Sequence, residues 1–95
     1  MKGKHRAFVF VDVAPGKDRR ILDKLLEYDE VIEAHIITGQ YDVLAVLEFE
    51  LYGKEIFASF QETASKFVVE KIRKLKDVND TNTIIPTFSL TKRAP

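Results

Sequence analysis

Apolar positions along this chain repeat with two different periods. Ala7–Val13 is a run rich in β-branched and aromatic residues, broken only by Asp12 and followed by Pro15-Gly16. It predicts a strand that is apolar on both faces, with Val9, Val11 and Val13 on one and Phe8 and Phe10 on the other. From Lys17 to Tyr28 the spacing becomes helical, with Ile21, Leu22, Leu25 and Leu26 in one stripe and Asp18 placed to suit the helix dipole. Val31–Thr38 and Val43–Phe49 read as two further strands. The second is again apolar on both faces, with Val43, Ala45, Leu47 and Phe49 opposite Leu44 and Val46. Gly39-Gln40 between them predicts a two-residue type II′ hairpin turn. Lys54 to Lys76 returns to the helical period, with Ile56, Phe57, Phe60, Ala64, Phe67, Val68, Ile72 and Leu75 on one arc. Such a helix is about 34 Å long against about 23 Å for a strand of the predicted length, so it either overhangs the sheet, the favoured reading, or breaks near Thr63 to Ser65. Thr81–Leu90 is the last strand, and Pro86 confines it to an edge.

The order β-α-β-β-α-β predicts an α+β fold: a ferredoxin-like βαββαβ sandwich, antiparallel sheet order 4-1-3-2, of the dimeric α+β barrel type. That order makes the first and third strands central, and those are the two with apolar residues on both faces. Both helices must cover one face, because right-handed crossovers place them on the same side. The other face keeps an apolar set from each central strand, which predicts a homodimer with the sheets face to face. One domain is expected over residues 7–91, with residues 1–6 a disordered basic N-terminus and residues 92–95 a frayed tail.

Composition narrows the chemistry. The 95 residues carry 15 Lys+Arg against 15 Asp+Glu, two His, no Cys and no Trp, and 45% are apolar. Disulfides, thiolate catalysis and Cys-ligated metals are excluded. A balanced charge argues against direct nucleic-acid binding, and Phe8 and Phe10 lack the glycine and basic neighbours of an RNA-stacking strand. No apolar run reaches the roughly 18 to 20 residues that span a bilayer, and Asp12 and Pro15 interrupt any signal-like start, so a cytoplasmic location with no membrane contact is expected.

His5 and His35 are far apart in sequence, one in a basic tail and one on an edge strand, and no metal site is expected. No phosphate-binding glycine loop or nucleophile elbow is present. Thr38-Gly39-Gln40-Tyr41-Asp42 stands apart. Gly39 leaves peptide N–H groups open, Tyr41 brings an amphipathic ring, and the Asp42 carboxylate suits an ammonium group. Together these can read both ends of an α-amino acid, or form only a hairpin turn with a packing Tyr and an Asp bonded to its own backbone.

Asp29-Glu30-Val31-Ile32-Glu33-Ala34 leading into Ile37-Thr38-Gly39-Gln40-Tyr41-Asp42-Val43-Leu44 resembles the effector-binding domain of the Lrp/AsnC transcriptional regulators. So does Phe67-Val68-Val69-Glu70-Lys71-Ile72 followed by Val78 and Thr83. The likeness runs from about Ala7 to Leu90, and its most specific part is the G-x-Y-D element. Only six residues precede the first strand, so the chain is similar to the stand-alone form of the domain, the RAM-module proteins, without the helix-turn-helix. The resemblance implies a face-to-face homodimer, dimers assembled into a ring such as an octamer, and an amino-acid effector held between dimers. Carried over by position, it nominates Gly39, Gln40, Tyr41 and Asp42, with Thr83 and Thr81 nearby. Asp77 stands where the family often has Gly, and Leu51–Thr63 is longer than usual before the second helix.

The expected function is therefore a non-enzymatic, cofactor-free sensing and oligomerisation module that acts through protein partners, among them a full-length Lrp/AsnC-type regulator. Two alternatives stand beside it: an assembly scaffold with no ligand, and a small ferredoxin-like isomerase or monooxygenase.

Overall fold

A computed structural model describes the backbone of residues 2–52, 56–90 and 92, and the side chains of residues 4–51, 58–90 and 92. The elements follow the order β1 (Lys2–Val13), α1 (Asp18–Leu25), β2 (Val31–Ile36), β3 (Val43–Tyr52), α2 (Ile56–Phe67) and β4 (Val78–Ile84). The four strands form one antiparallel sheet in the order β2-β3-β1-β4, which is the predicted 4-1-3-2 read from the other edge. β1 and β3 are central, as their doubly apolar sequences require.

Alternation fixes the faces. Ala7, Val9, Val11 and Val13 of β1 and Val43, Ala45 and Leu47 of β3 are buried against Ile21 and Leu25 of α1 and Phe60, Ala64 and Phe67 of α2. Beneath α2 an aromatic row extends this core. Phe49 lies 6.0 Å from Phe60 and 5.9 Å from Phe67, and Tyr28 meets Phe67 edge-on at 5.4 Å. Phe8, Phe10, Leu44 and Val46 occupy the other face, which no helix covers.

The elements differ from expectation at their ends. Residues 2–6, expected as a disordered arm, extend β1 and pair with β3 out to Lys2↔Tyr52. Backbone ladders need no apolar side chains, and Arg6 Nε donates to Glu48 at 3.0 Å across the pair. β3 likewise continues to Tyr52. With twelve residues in β1, about 40 Å of strand, the sheet is longer than the second helix, so that helix has no need to overhang it.

α2 runs without a break into a π-helical turn, Val68–Ile72, closed by the Arg73 N–H to the Val68 carbonyl at 2.9 Å. Helix ends at Ile72 rather than at Lys76; its expected start at Lys54 and the side chains of Ile56 and Phe57 lie outside the described residues. β4 begins at Val78 and ends at Ile84, so Pro86 follows the strand instead of sitting within it. The expected tail at 92–95 lies outside the described residues apart from Lys92, an exposed bend.

Asp77, where the family often has Gly, adopts a positive φ of 77°. Its carbonyl accepts from the Ala14 N–H at 2.9 Å, and its carboxylate pairs with Arg20 at 2.9 Å. These bonds hold an aspartate in a conformation that glycine adopts more readily.

Candidate functional site

The chain between β2 and β3 is a six-residue loop rather than a two-residue hairpin, because Ile36 is the residue that pairs with Val43. The Ile37 N–H donates to the Asp42 carbonyl at 2.9 Å and closes the loop at its base. Gly39 at the tip has φ 132°, a backbone conformation that a side chain disfavours.

Asp42 ties this loop to the end of β1. Its N–H donates to the Val11 carbonyl at 3.1 Å, and its Oδ2 accepts from the Val13 N–H at 2.9 Å. The carboxylate therefore takes up a backbone donor at the point where the β1–β3 ladder stops. Asp12 shares a side-chain hydrogen bond with Asp42 and pairs in register with Asp80. Desolvation first, then that bond and the negative charge of Asp42 and Asp80, raises the Asp12 carboxyl above the usual carboxylate range.

Beside the loop lies a cleft of about 310 Å³ lined by Phe10, Ile37, Thr38, Gln40, Tyr41 and Asn82. The Tyr41 ring stands 5.6 Å from that of Phe10, tilted by 39°. Asn82 faces Phe10 in the β1–β4 register, so its exposed amide shares the uncovered side of the sheet. The cleft thus joins two aromatic rings, an amide from each side and a hydroxyl, next to an acidic corner of the sheet.

Of the nominated residues, Gln40 and Tyr41 line this cleft and Gly39 sits in the loop that shapes it. Asp42 is close in sequence, yet its carboxylate is turned to β1 and is not among the lining groups. Thr81 and Thr83 pair with Val11 and Val9, which places them on the helix side of β4. Asn82 between them was not singled out from the sequence. Strand alternation implies that it faces away from its neighbours, but choosing it required the register against Phe10.

Among the described residues no group of three or more His, Cys, Asp or Glu is placed to hold a metal ion. No described helix is long and apolar enough to cross a membrane.

Comparison with known proteins places this geometry. The Lrp/AsnC ligand binding domain family matches residues 6–51. The HTH-type transcriptional regulator Ptr1 of Methanocaldococcus jannaschii is 36% identical over 67 residues, covering 70% of this chain and 39% of that protein. The chain spans less than half the length of the curated relatives it matches. Among solved structures, FFRP-DM1 is 30% identical with a TM-score of 0.68, over 86% of this chain and 97% of that one. The transcriptional regulator NMB0573 of Neisseria meningitidis, solved as an L-Met complex, shares the fold at 21% identity and a TM-score of 0.66, over 96% of this chain and 56% of that one. With the strand order, the G-x-Y-D loop and these matches in agreement, the chain belongs to the Lrp/AsnC ligand-binding domain family.

Proposed function

We propose that this chain is a cytoplasmic sensing and oligomerisation module that binds an amino acid at the cleft beside the 37–42 loop. In this reading it is not an enzyme. It acts through a protein partner, a full-length Lrp/AsnC-type regulator. The observation that carries the proposal is the cleft itself, where Phe10 and Tyr41 can flank an apolar side chain while Gln40, Asn82 and the Thr38 hydroxyl meet polar ends. The presence of L-Met in the NMB0573 structure supports an amino acid as the ligand class.

Assembly belongs to the same reading. The uncovered sheet face pairs two copies, and the dimers join into a ring, an octamer, that brings further groups to the cleft. Thr81 and Thr83, on the far side of β4, contribute only across a seam between dimers. Asp42 takes the effector's ammonium through its charge, or else it positions the loop through its bond to the Val13 N–H.

Calorimetry with all twenty amino acids tests the proposal and separates those two roles. Binding of at least one amino acid, weakened by Tyr41→Ala, is the expected result. Asp42→Ala weakens it under either role. Asp42→Asn keeps an acceptor for Val13 but loses the charge, so it restores binding only if Asp42 positions the loop. No heat from any amino acid, with no small molecule retained in native mass spectrometry, overturns the sensing function and leaves the assembly scaffold.

A further inference from the structure

The cleft beside the 37–42 loop is lined by aromatic, aliphatic, hydroxyl and amide groups, with no positive charge among them. Negative charge stands one row away on the same face of the sheet. Asp12 follows Phe10 by two residues in β1, and Asp80 precedes Asn82 by two residues in β4. Strand alternation therefore puts both carboxylates on the cleft side. They pair with each other in register, about 7 Å along the strands from Phe10 and Asn82.

Among the described residues no cation neutralises this corner, since neither Asp12, Asp42 nor Asp80 belongs to an ion pair. The Asp12 carboxyl is raised by desolvation, then by its bond to Asp42 and the charges of Asp42 and Asp80, each unfavourable to its ionised form. Asp42 is committed to the Val13 N–H. Asp80 accepts from the Thr81 N–H through Oδ1, which leaves its second oxygen for another donor. Like charges held together without a counterion oppose the fold that gathers them, and a cationic ligand relieves that repulsion. Among the described residues these carboxylates are not grouped as ligands of one metal ion. An extended organic cation matches them, because the Phe10 and Tyr41 rings at the near end of the row also attract positive charge.

We propose that the effector taken by this cleft is a cationic amino acid, whose side-chain ammonium or guanidinium is held by Asp12 and Asp80. The assignment rests on the sensing role of the cleft and narrows its ligand class. The α-amino and α-carboxylate groups face Thr38 and Gln40, and the methylene stem lies along the two rings. The cationic end passes Asn82 to reach the aspartates. Lysine spans this row with its four-carbon stem, and arginine reaches as far with a planar fork suited to carboxylates. A neutral side chain fills the aromatic part of the cleft and leaves the carboxylates unmet.

Calorimetry on the whole chain compares L-lysine with L-norleucine, and L-arginine with L-citrulline, so that each pair differs mainly in charge. At least one cationic member is expected to bind about tenfold or more tightly than its neutral counterpart. Asp80→Asn keeps an acceptor for the Thr81 N–H, and Asp12→Asn removes the charge beside it. Each variant, checked for cooperative melting, is expected to erase most of that preference. Asp23→Asn removes an exposed charge on α1 and leaves the preference intact. Neutral amino acids binding as tightly as lysine and arginine overturn the assignment but leave the sensing role standing. So does a preference that survives both Asp12→Asn and Asp80→Asn. Cadaverine, which has lysine's cation and no carboxylate, overturns both if it binds as tightly as lysine, because the ligand is then an amine. No heat from any amino acid overturns the sensing role, and this assignment with it.

Discussion

Three aspartates meet where β1, β3 and β4 lie side by side, and two of them, Asp42 and Asp80, accept a backbone N–H through their side chains. Asp42 accepts the Val13 N–H, while Asp12 lies between Asp42 and Asp80 and keeps its proton more readily than an ordinary carboxyl. Because the folded chain binds that proton more tightly than the unfolded one, the Asp12 contribution to stability is present below its ordinary value of 3.8. It is lost as pH rises through the raised folded value, so at neutral pH the ionised group opposes folding. Asp12→Asn, which can donate to Asp42 without charge, is expected to raise the melting temperature at neutral pH, with the difference from wild type shrinking toward about pH 4. Calorimetric melting of both proteins across that range checks it. A lower melting temperature for the variant at neutral pH contradicts this account. Gly39 presents the opposite case, in which the backbone rather than a side chain sets the constraint. A Cβ there meets nothing within 4 Å, yet φ is 132°. Gly39→Ala is therefore expected to cost about 1 to 3 kcal/mol through the backbone alone, as measured by denaturant unfolding, and to weaken effector binding with it.

At the scale of elements, legibility followed apolar periodicity and failed where backbone geometry decides. The two doubly apolar strands told which strands are central, and the helical arc of Phe60, Ala64, Phe67, Val68 and Ile72 told which side of α2 is buried. Strand ends were not legible, since Lys4, His5 and Arg6 join the sheet through main-chain bonds that no side-chain pattern announces. Register was not legible either, which is why Thr81 and Thr83 stood out from the sequence while Asn82 reaches the cleft. The six-residue loop defeated the hairpin signal because Asp42 bonds to β1 instead of opening β3 directly after the turn. The π-helical turn is the remaining surprise. It keeps Val68 and Ile72 in the core while Val69 stays 52% exposed. Ile72→Ala is expected to cost about 2 to 5 kcal/mol, and Val69→Ala less than about 0.5 kcal/mol, in denaturant unfolding. Comparable losses at both positions contradict the observed phase of this turn.

The whole molecule is decided by its uncovered sheet face. Phe8, Phe10 and Leu44 are half-buried there, Val46 is already buried by its neighbours, and Ile84 at the β4 edge is 47% exposed. Around this apolar centre stand Arg6 and Glu48 at one end, Asp12 and Asp80 at the other, and the Glu33–His35 pair, 3.0 Å apart, along β2. An apolar centre within a polar rim is the anatomy of a protein interface rather than of a solvated sheet. Phe8 sits at that centre, paired with Val46 on one side and Ile84 on the other, and contributes nothing to the core beneath the helices. A charge placed there leaves the fold intact but must lose its water in any face-to-face dimer. Phe8→Glu is therefore expected to weaken self-association by about a hundredfold or more while the circular dichroism spectrum is retained. Val69→Glu, equally apolar-to-acidic but on the exposed side of the π-helical turn, serves as the control and is expected to leave assembly unchanged. Sedimentation over a wide concentration range distinguishes the outcomes. If the wild-type chain stays monomeric throughout, or if Phe8→Glu assembles as wild type does, the sheet face is not where two copies meet, and any sensing at the Tyr41 cleft must be completed within a single chain.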